Sequence, residues 1–186
     1  GFLRYPAELR SLNRMLKLWN QGLEAAAKAV KSADPAKRDE ARRLEALGHF
    51  IRNSVITTIH IKEWWRANIA MQDSATVKDA DKHLDRIEAI AHAEIENAKD
   101  TIPVVEFDSR LGWEPSMEYV CDRWHLEWKI RQVNSALTEI ASYRRHVEEA
   151  IERLGRAHPT VRTQYFSEEI DGEGGMFPPR RVERMR

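Results

Sequence analysis

The chain has 186 residues, the size of one ordinary domain with a core of its own. Lys plus Arg and Asp plus Glu both total 30, so the formal net charge is zero. That balance argues against a nucleic-acid binder or a polybasic membrane-surface protein, which need a field of one sign. With 32% charged residues and a mean hydropathy of −0.62, the chain reads as soluble with charged helix faces. No run of roughly 18 apolar residues offers a membrane span.

A first helix is expected from near Pro6, a residue suited to a first turn because its missing N–H is not needed there. Leu9, Leu12, Leu16, Trp19, Leu23, Ala26 and Val30 recur at spacings of three and four, an apolar seam with Gly22 as a weak point. Ser32-Ala33-Asp34-Pro35 ends this helix and starts the next, with Asp34 as N-cap and Pro35 at the first position. The second helix is expected over Pro35 to Met71. It carries two seams: Leu44, Leu47, Ile51, Val55, Ile59, and Phe50, Thr57, Ile61, Trp64, Ala67, Met71. Two seams imply neighbours on more than one side. The run Val55-Ile56-Thr57-Thr58-Ile59 is β-branched, so a strand competes there, but the long periodic context favours helix.

Gln72-Asp73-Ser74 is the next break. Val77, Ala80, Leu84, Ile87, Ala91, Ile95 and Ala98 make a third helix, expected to end near Thr101. The residue before a proline is pushed out of the helical region, so Ile102, before Pro103, should be extended. Helix is expected to restart at Pro115 and Ser116. Its seam is Leu126, Ile130, Val133, Leu137, Ile140, Val147, Ile151 and Leu154, with an end at Gly155 or just beyond. Residues 158–186 lose all periodicity and gather Gly172, Gly174, Gly175, Pro178 and Pro179, as a linker or tail does. The expectation is an all-α, up-down four-helix bundle over 1–157, with a structured loop between helices 3 and 4 and an irregular tail.

That loop is about 14 residues, longer than the two to eight that join antiparallel helices, and such loops are often functional. Within it Glu106, Asp108, Arg110 and Glu114 place three carboxylates and one guanidinium close together. Arg110 can fasten Asp108 or Glu106 through a bidentate pair. Gly112 permits a turn that other residues resist. Trp113 lies off any helical period, as an interface or ligand platform would, or it plugs the end of the bundle. On the residues alone the loop is either a rigid connector whose charges cancel or a surface presenting Trp113 and a carboxylate to a ligand. Polar groups beside an aromatic face suit sugars.

Elsewhere the chemistry is sparse. No duplicated Glu-x-x-His pattern supports a di-metal bundle: His60 and Glu63 are reversed, and Glu88/His92 and Asp122/His125 do not repeat. No metal or cofactor is expected. The single cysteine, Cys121, excludes an internal disulfide and reads as a small buried or half-buried residue. Trp19 and Trp64 fall on seams and read as core, whereas Trp65, Trp124 and Trp128 fit either core or a partner surface. The chain starts Gly1-Phe2-Leu3-Arg4, with no Met and no signal peptide, and reads as a fragment or processed piece.

Asp108-Ser109-Arg110-Leu111-Gly112-Trp113-Glu114-Pro115-Ser116-Met117-Glu118-Tyr119, followed by His125-Leu126-Glu127-Trp128-Lys129-Ile130-Arg131-Gln132, resembles the C-terminal helical region of large bacterial glycoside hydrolase-like proteins. In these a catalytic barrel related to those of hexosaminidases and α-glucuronidases precedes a helical domain. The resemblance runs from Glu106 to Val133. It implies a non-catalytic domain packed on the preceding catalytic domain of the same polypeptide, outside the cytoplasm. It makes Asp108, Arg110, Trp113, Glu114 and Tyr119 candidates for glycan or interdomain contact. It does not supply a catalytic pair, which usually needs two carboxylates about 5–10 Å apart across a bound sugar. Two rivals stand beside it. One is a protein-interaction or scaffold bundle without sugar chemistry, anchored by Trp65, Trp124 or Trp128. The other is a helical enzyme using Asp108, Glu114 and His125 as acid–base groups. Neither a membrane nor a nucleic acid is an expected partner.

Overall fold

The computed structural model describes residues 4–114, 116 and 119–157; at 148, 150–152 and 154–157 it describes the backbone alone. The expected tail, 158–186, lies outside the described residues, as do Pro115, Met117 and Glu118. The described chain is all-α, with four long helices running up and down and one small hairpin.

Helix α1, Arg4–Ser32, lies along α2, Arg38–Gln72, in the antiparallel sense. Leu9, with Leu12 and Leu16, packs on Val55 and Ile59. Polar contacts pin the same face: Lys62 Nζ donates to Glu8 Oε2 at 2.7 Å, Trp19 Nε1 to Gly48 O at 2.7 Å, and Arg52 Nε to Asn20 Oδ1 at 3.0 Å. Tyr5 stacks on Trp65 with ring centroids 4.8 Å apart. The turn between the helices is built as its sequence expects. Asp34 Oδ1 accepts from Ala36 N at 2.8 Å, and Pro35–Lys37 form a short 3-10 helix before α2 proper.

Helix α3, Val77–Phe107, covers the opposite face of α2. Thr76 opens it: its hydroxyl accepts from Asp79 N at 3.1 Å and donates to Asp79 Oδ2 at 2.6 Å, a reciprocal cap. Helix α4, Arg123–Ala157, returns along α3. One core cluster joins Ala67 and Met71 of α2, Ala80, Leu84 and Ile87 of α3, and Ile140 of α4, with Trp64, Leu137 and Val147 packed against it. A second joins Ala98 and Val105 to Leu126, with Phe50, Ile102, Cys121 and Ile130 against it. Thus α2, α3 and α4 share the core, and α1 is attached to the far side of α2.

Between those clusters along α3 lies a buried polar layer. Glu94 accepts from Thr57 Oγ1 at 2.6 Å, lies 2.5 Å from His60 Nδ1, and accepts from Lys129 of α4. Asn97 Nδ2 donates to Asn53 O and to Thr57 Oγ1, both at 3.0 Å, and Asn53 Nδ2 donates to Thr101 Oγ1 at 3.0 Å. A slip of one helix past another would strand these groups without partners, so the layer fixes the register of three helices.

Two expectations need correction. α3 does not end near Thr101: it continues through Pro103 to Phe107, and Ile102 is helical. The lost hydrogen bond is outweighed because Ile102 and Val105 bury their side chains in the second cluster. α4 does not start at Pro115 but at Arg123, because Trp113–Glu114 and Tyr119–Val120 first pair as two short antiparallel strands. The two seams of α2 do meet neighbours on more than one side, α1 and α3, while Leu44, Leu47 and Ile61 stay exposed. The β-branched run 55–59 is helical, as its context favours. α4 extends to Ala157, just beyond Gly155.

Candidate functional site

The corner between α3 and α4 is assembled by one carboxylate. Asp108 closes α3, with its N–H donating to Val104 O at 3.1 Å, and then caps a short 3-10 helix, Ser109–Gly112. Its side chain is buried. Arg110 Nε donates to Asp108 Oδ1 at 2.8 Å and Arg110 Nη2 to Oδ2 at 2.6 Å, a bidentate fork. Arg43 of α2 donates to Oδ2 at 3.3 Å from across the fold. The Arg110 guanidinium, opposed by desolvation and helped by Arg43, holds the Asp108 carboxyl far below the usual range. Arg42 and Arg43 also lie over the Phe107 ring, 4.7 and 5.8 Å from its centroid.

Gly112 then brings the chain against itself. Cys121 N donates to Gly112 O at 2.5 Å, and a Cβ at Gly112 would lie 2.2 Å from Cys121 O. The glycine is required for this close approach and not for a left-handed backbone. Strands β1, Trp113–Glu114, and β2, Tyr119–Val120, pair antiparallel with Trp113 opposite Val120 and Glu114 opposite Tyr119. Glu114 Oε1 accepts from Ser116 N at 2.9 Å and from Ser116 Oγ at 2.5 Å, which lowers the Glu114 carboxyl. Burial of part of its ring, with a hydrogen bond to Cys121, pushes the Tyr119 phenol up to about 12. Asp122 caps α4: its Oδ1 accepts from His125 N at 2.9 Å and sits 2.8 Å from His125 Nδ1. Arg123 ties α4 back to α3 through Glu106 at 2.7 Å.

The charges of this corner are therefore spent on one another, while its indoles are not covered. Trp113 is 62% exposed, Trp124 59% and Trp128 49%. Tyr119 and Val120 are exposed as well. Trp124 and Trp128 are one turn apart on α4 and out of step with its seam, which places them on the face away from α3. No protein family, curated protein or solved structure matches this chain.

The five candidate residues thus share one corner in different roles. Asp108 points inward as a brace, and Arg110 is its partner. Glu114 is held by Ser116, and Trp113 and Tyr119 face solvent. Asp108, Glu114 and His125 each have a separate local partner, so no shared acid–base site is formed by contact among them. Among the described residues no group of three or more His, Cys, Asp or Glu is arranged to hold a metal. No described helix is long and apolar enough to cross a membrane. Sequence reasoning misses Arg43, which acts from 65 residues away and has no local signal. It also misses Glu94, whose signal was available: a carboxylate between Ala91 and Ala98 on an apolar seam demands partners.

Proposed function

We propose that this chain is a non-catalytic helical docking domain whose indole-bearing corner packs on another protein surface. The carrying observation is the exposure of Trp113, Trp124 and Trp128 around a locally braced corner. Each exposed indole leaves a large apolar area in water, and Trp is the residue most enriched among interface anchors. The paired state of Asp108, Arg110, Glu114 and Arg123 supports the same reading, because a corner already rigid loses little entropy on docking. The resemblance names the partner: a preceding catalytic domain of a glycoside hydrolase-like polypeptide. A second reading, direct glycan contact, is favoured by Trp113 and Tyr119 standing exposed beside Glu114.

The test mixes the 186-residue chain with the separately produced segment encoded upstream in the same reading frame. Docking gives a stoichiometric complex by sedimentation and a blue-shifted tryptophan emission. The triple change Trp113→Ala, Trp124→Ala, Trp128→Ala abolishes both while leaving the melting temperature close to the parent's. Titration with soluble GlcNAc- and uronate-containing oligosaccharides serves as the second arm. A response to sugar alone transfers the site to glycan contact. Silence in both arms, or a complex that survives the triple change, removes the docking reading.

A further inference from the structure

A second uncovered surface lies on the other side of the molecule, between α1 and α2. Helix α1 carries two apolar rows, one residue out of phase. Leu9, Leu12, Leu16, Trp19 and Leu23 face α2. The adjacent row, Ser11, Met15, Leu18, Gly22, Ala25 and Ala29, repeats at alternating spacings of four and three and is exposed throughout. On α2, Leu44 extends the same surface; Leu18 is 58% and Leu44 66% exposed. Ser11, Met15, Leu18 and Gly22, with Arg14, Ala26 and Leu44, line a groove of about 610 Å³. Its floor is fixed. The Trp19 indole N–H is already bound to Gly48 O, and a Cβ at Gly48 would lie 2.8 Å from Leu23 Cδ2, so the two helices close tightly beneath the groove.

We propose that this groove is the docking site for an acidic amphipathic helix of another protein chain. The alternating spacing of three and four is the seam that a helix, and no other element, can follow over several turns. Gly22 supports this independently. A mid-helix glycine is destabilising relative to alanine, yet an added Cβ there would meet nothing within 4 Å. No described residue uses the room that Gly22 leaves, whereas a helix laid in the groove does.

Charge sets the chemistry of the occupant. The row flanking the groove on α1 is Arg10, Arg14, Lys17, Gln21, Glu24 and Lys28. None of its four cations has an ion-pair partner among the described residues. Acidic side chains on the flank of the incoming helix complement that row and steer its approach. A second copy does not: an isologous contact sets the same cationic row against itself.

The experiment uses the full chain and a fluorescein-labelled synthetic helix of roughly 20 residues, with Leu at the heptad seam and Glu on both flanks. A control peptide carries Lys in place of Glu. Anisotropy should report saturable binding of the acidic peptide and at least about tenfold weaker binding of the Lys peptide. Gly22→Trp plugs the groove from open space. It should weaken the acidic peptide by about tenfold or more while circular dichroism shows an unchanged fold. Arg14→Glu with Lys17→Glu should erase or invert the peptide preference. Failure of the acidic peptide to bind, equal binding of both peptides, or full binding by Gly22→Trp overturns the proposal. So does a homodimer that Gly22→Trp dissolves. None of these outcomes touches the indole corner, so the two readings fail separately.

Discussion

Cys121 N and Gly112 O are 2.5 Å apart, and this one contact closes the corner between α3 and α4. There is no volume for a side chain at Gly112, since the obstacle is the backbone carbonyl of Cys121 and not a movable side chain. Gly112→Ala must therefore push β1 away from the chain leading into α4. Overpacking of this kind costs about 1–3 kcal/mol. In a domain of this size that lowers the melting temperature by about 2–12 °C. Tryptophan emission should shift with it, because Trp113 is the next residue. A variant melting with the parent would show that the corner yields more readily than its contacts imply.

Arg43 reaches the same corner from α2. It meets Asp108 Oδ2 and lies over Phe107, so one side chain ties the second helix to the end of the third. Arg43→Met keeps the apolar stem and removes both contacts. Asp108 retains Arg110, so the fold should survive while the corner loosens. Amide exchange at Leu111 and Cys121 should quicken relative to Leu84 in the core. Equal protection in the two proteins would reduce Arg43 to a bystander.

The helices were legible because their apolar residues repeat at three and four over many turns, and that signal is local. Asp34 as a cap and the break at Gln72 were equally local. The pairing of Arg110 with Asp108 could be read because the two lie within one turn of chain. The pairing of 113–114 with 119–120 could not, because it depends on Gly112 meeting Cys121 and on β strands only two residues long. The seam of α2 was legible as apolar, but its partners were not. Periodicity says that Leu44 and Leu47 share a face, and it says nothing about whether this chain covers that face. For Glu94 the sequence shows a carboxylate on an apolar seam that needs partners, but not which ones: His60 and Lys129 sit on two other helices.

Pro103 illustrates how packing overrides a local rule. It sits inside α3, exposed, with buried Val105 and Thr101 on either side. Its ring removes a donor from the Lys99 carbonyl and crowds that turn. Pro103→Ala restores the N–H and replaces the poorest helix former by the best. The loss of proline's restraint on the unfolded chain offsets about 1 kcal/mol of that gain. The net expectation is a stabilisation of about 1–2 kcal/mol. A chemical denaturation midpoint that moves up at constant slope would confirm it. A drop would mean that proline at this position is needed to aim Phe107 at Arg42 and Arg43.

Glu94 should govern much of the acid sensitivity of the bundle. Burial alone would raise its carboxyl. The hydrogen bonds from His60, Lys129 and Thr57 outweigh that and hold it at about 2. Its ordinary value is 4.5. A carboxyl depressed in the folded state stabilises the fold above its unfolded value, and that contribution is lost as pH falls through the folded one. The loss therefore spans the interval from about pH 5 down to about pH 2. In that interval the unfolded chain binds a proton that the folded chain refuses. Glu8, Asp108, Glu114 and Asp122 are depressed too, so acid unfolding is shared. The portion belonging to Glu94 is isolated by Glu94→Gln, which keeps an acceptor for Thr57 but leaves Lys129 without its counter-charge. Breaking a largely buried pair in this way costs about 3–5 kcal/mol near neutrality. The difference in stability between parent and variant should shrink steadily as pH drops from 5 toward 2. If that difference stays constant, the carboxylate is not ionised in the fold, and the polar layer is held by neutral hydrogen bonds alone.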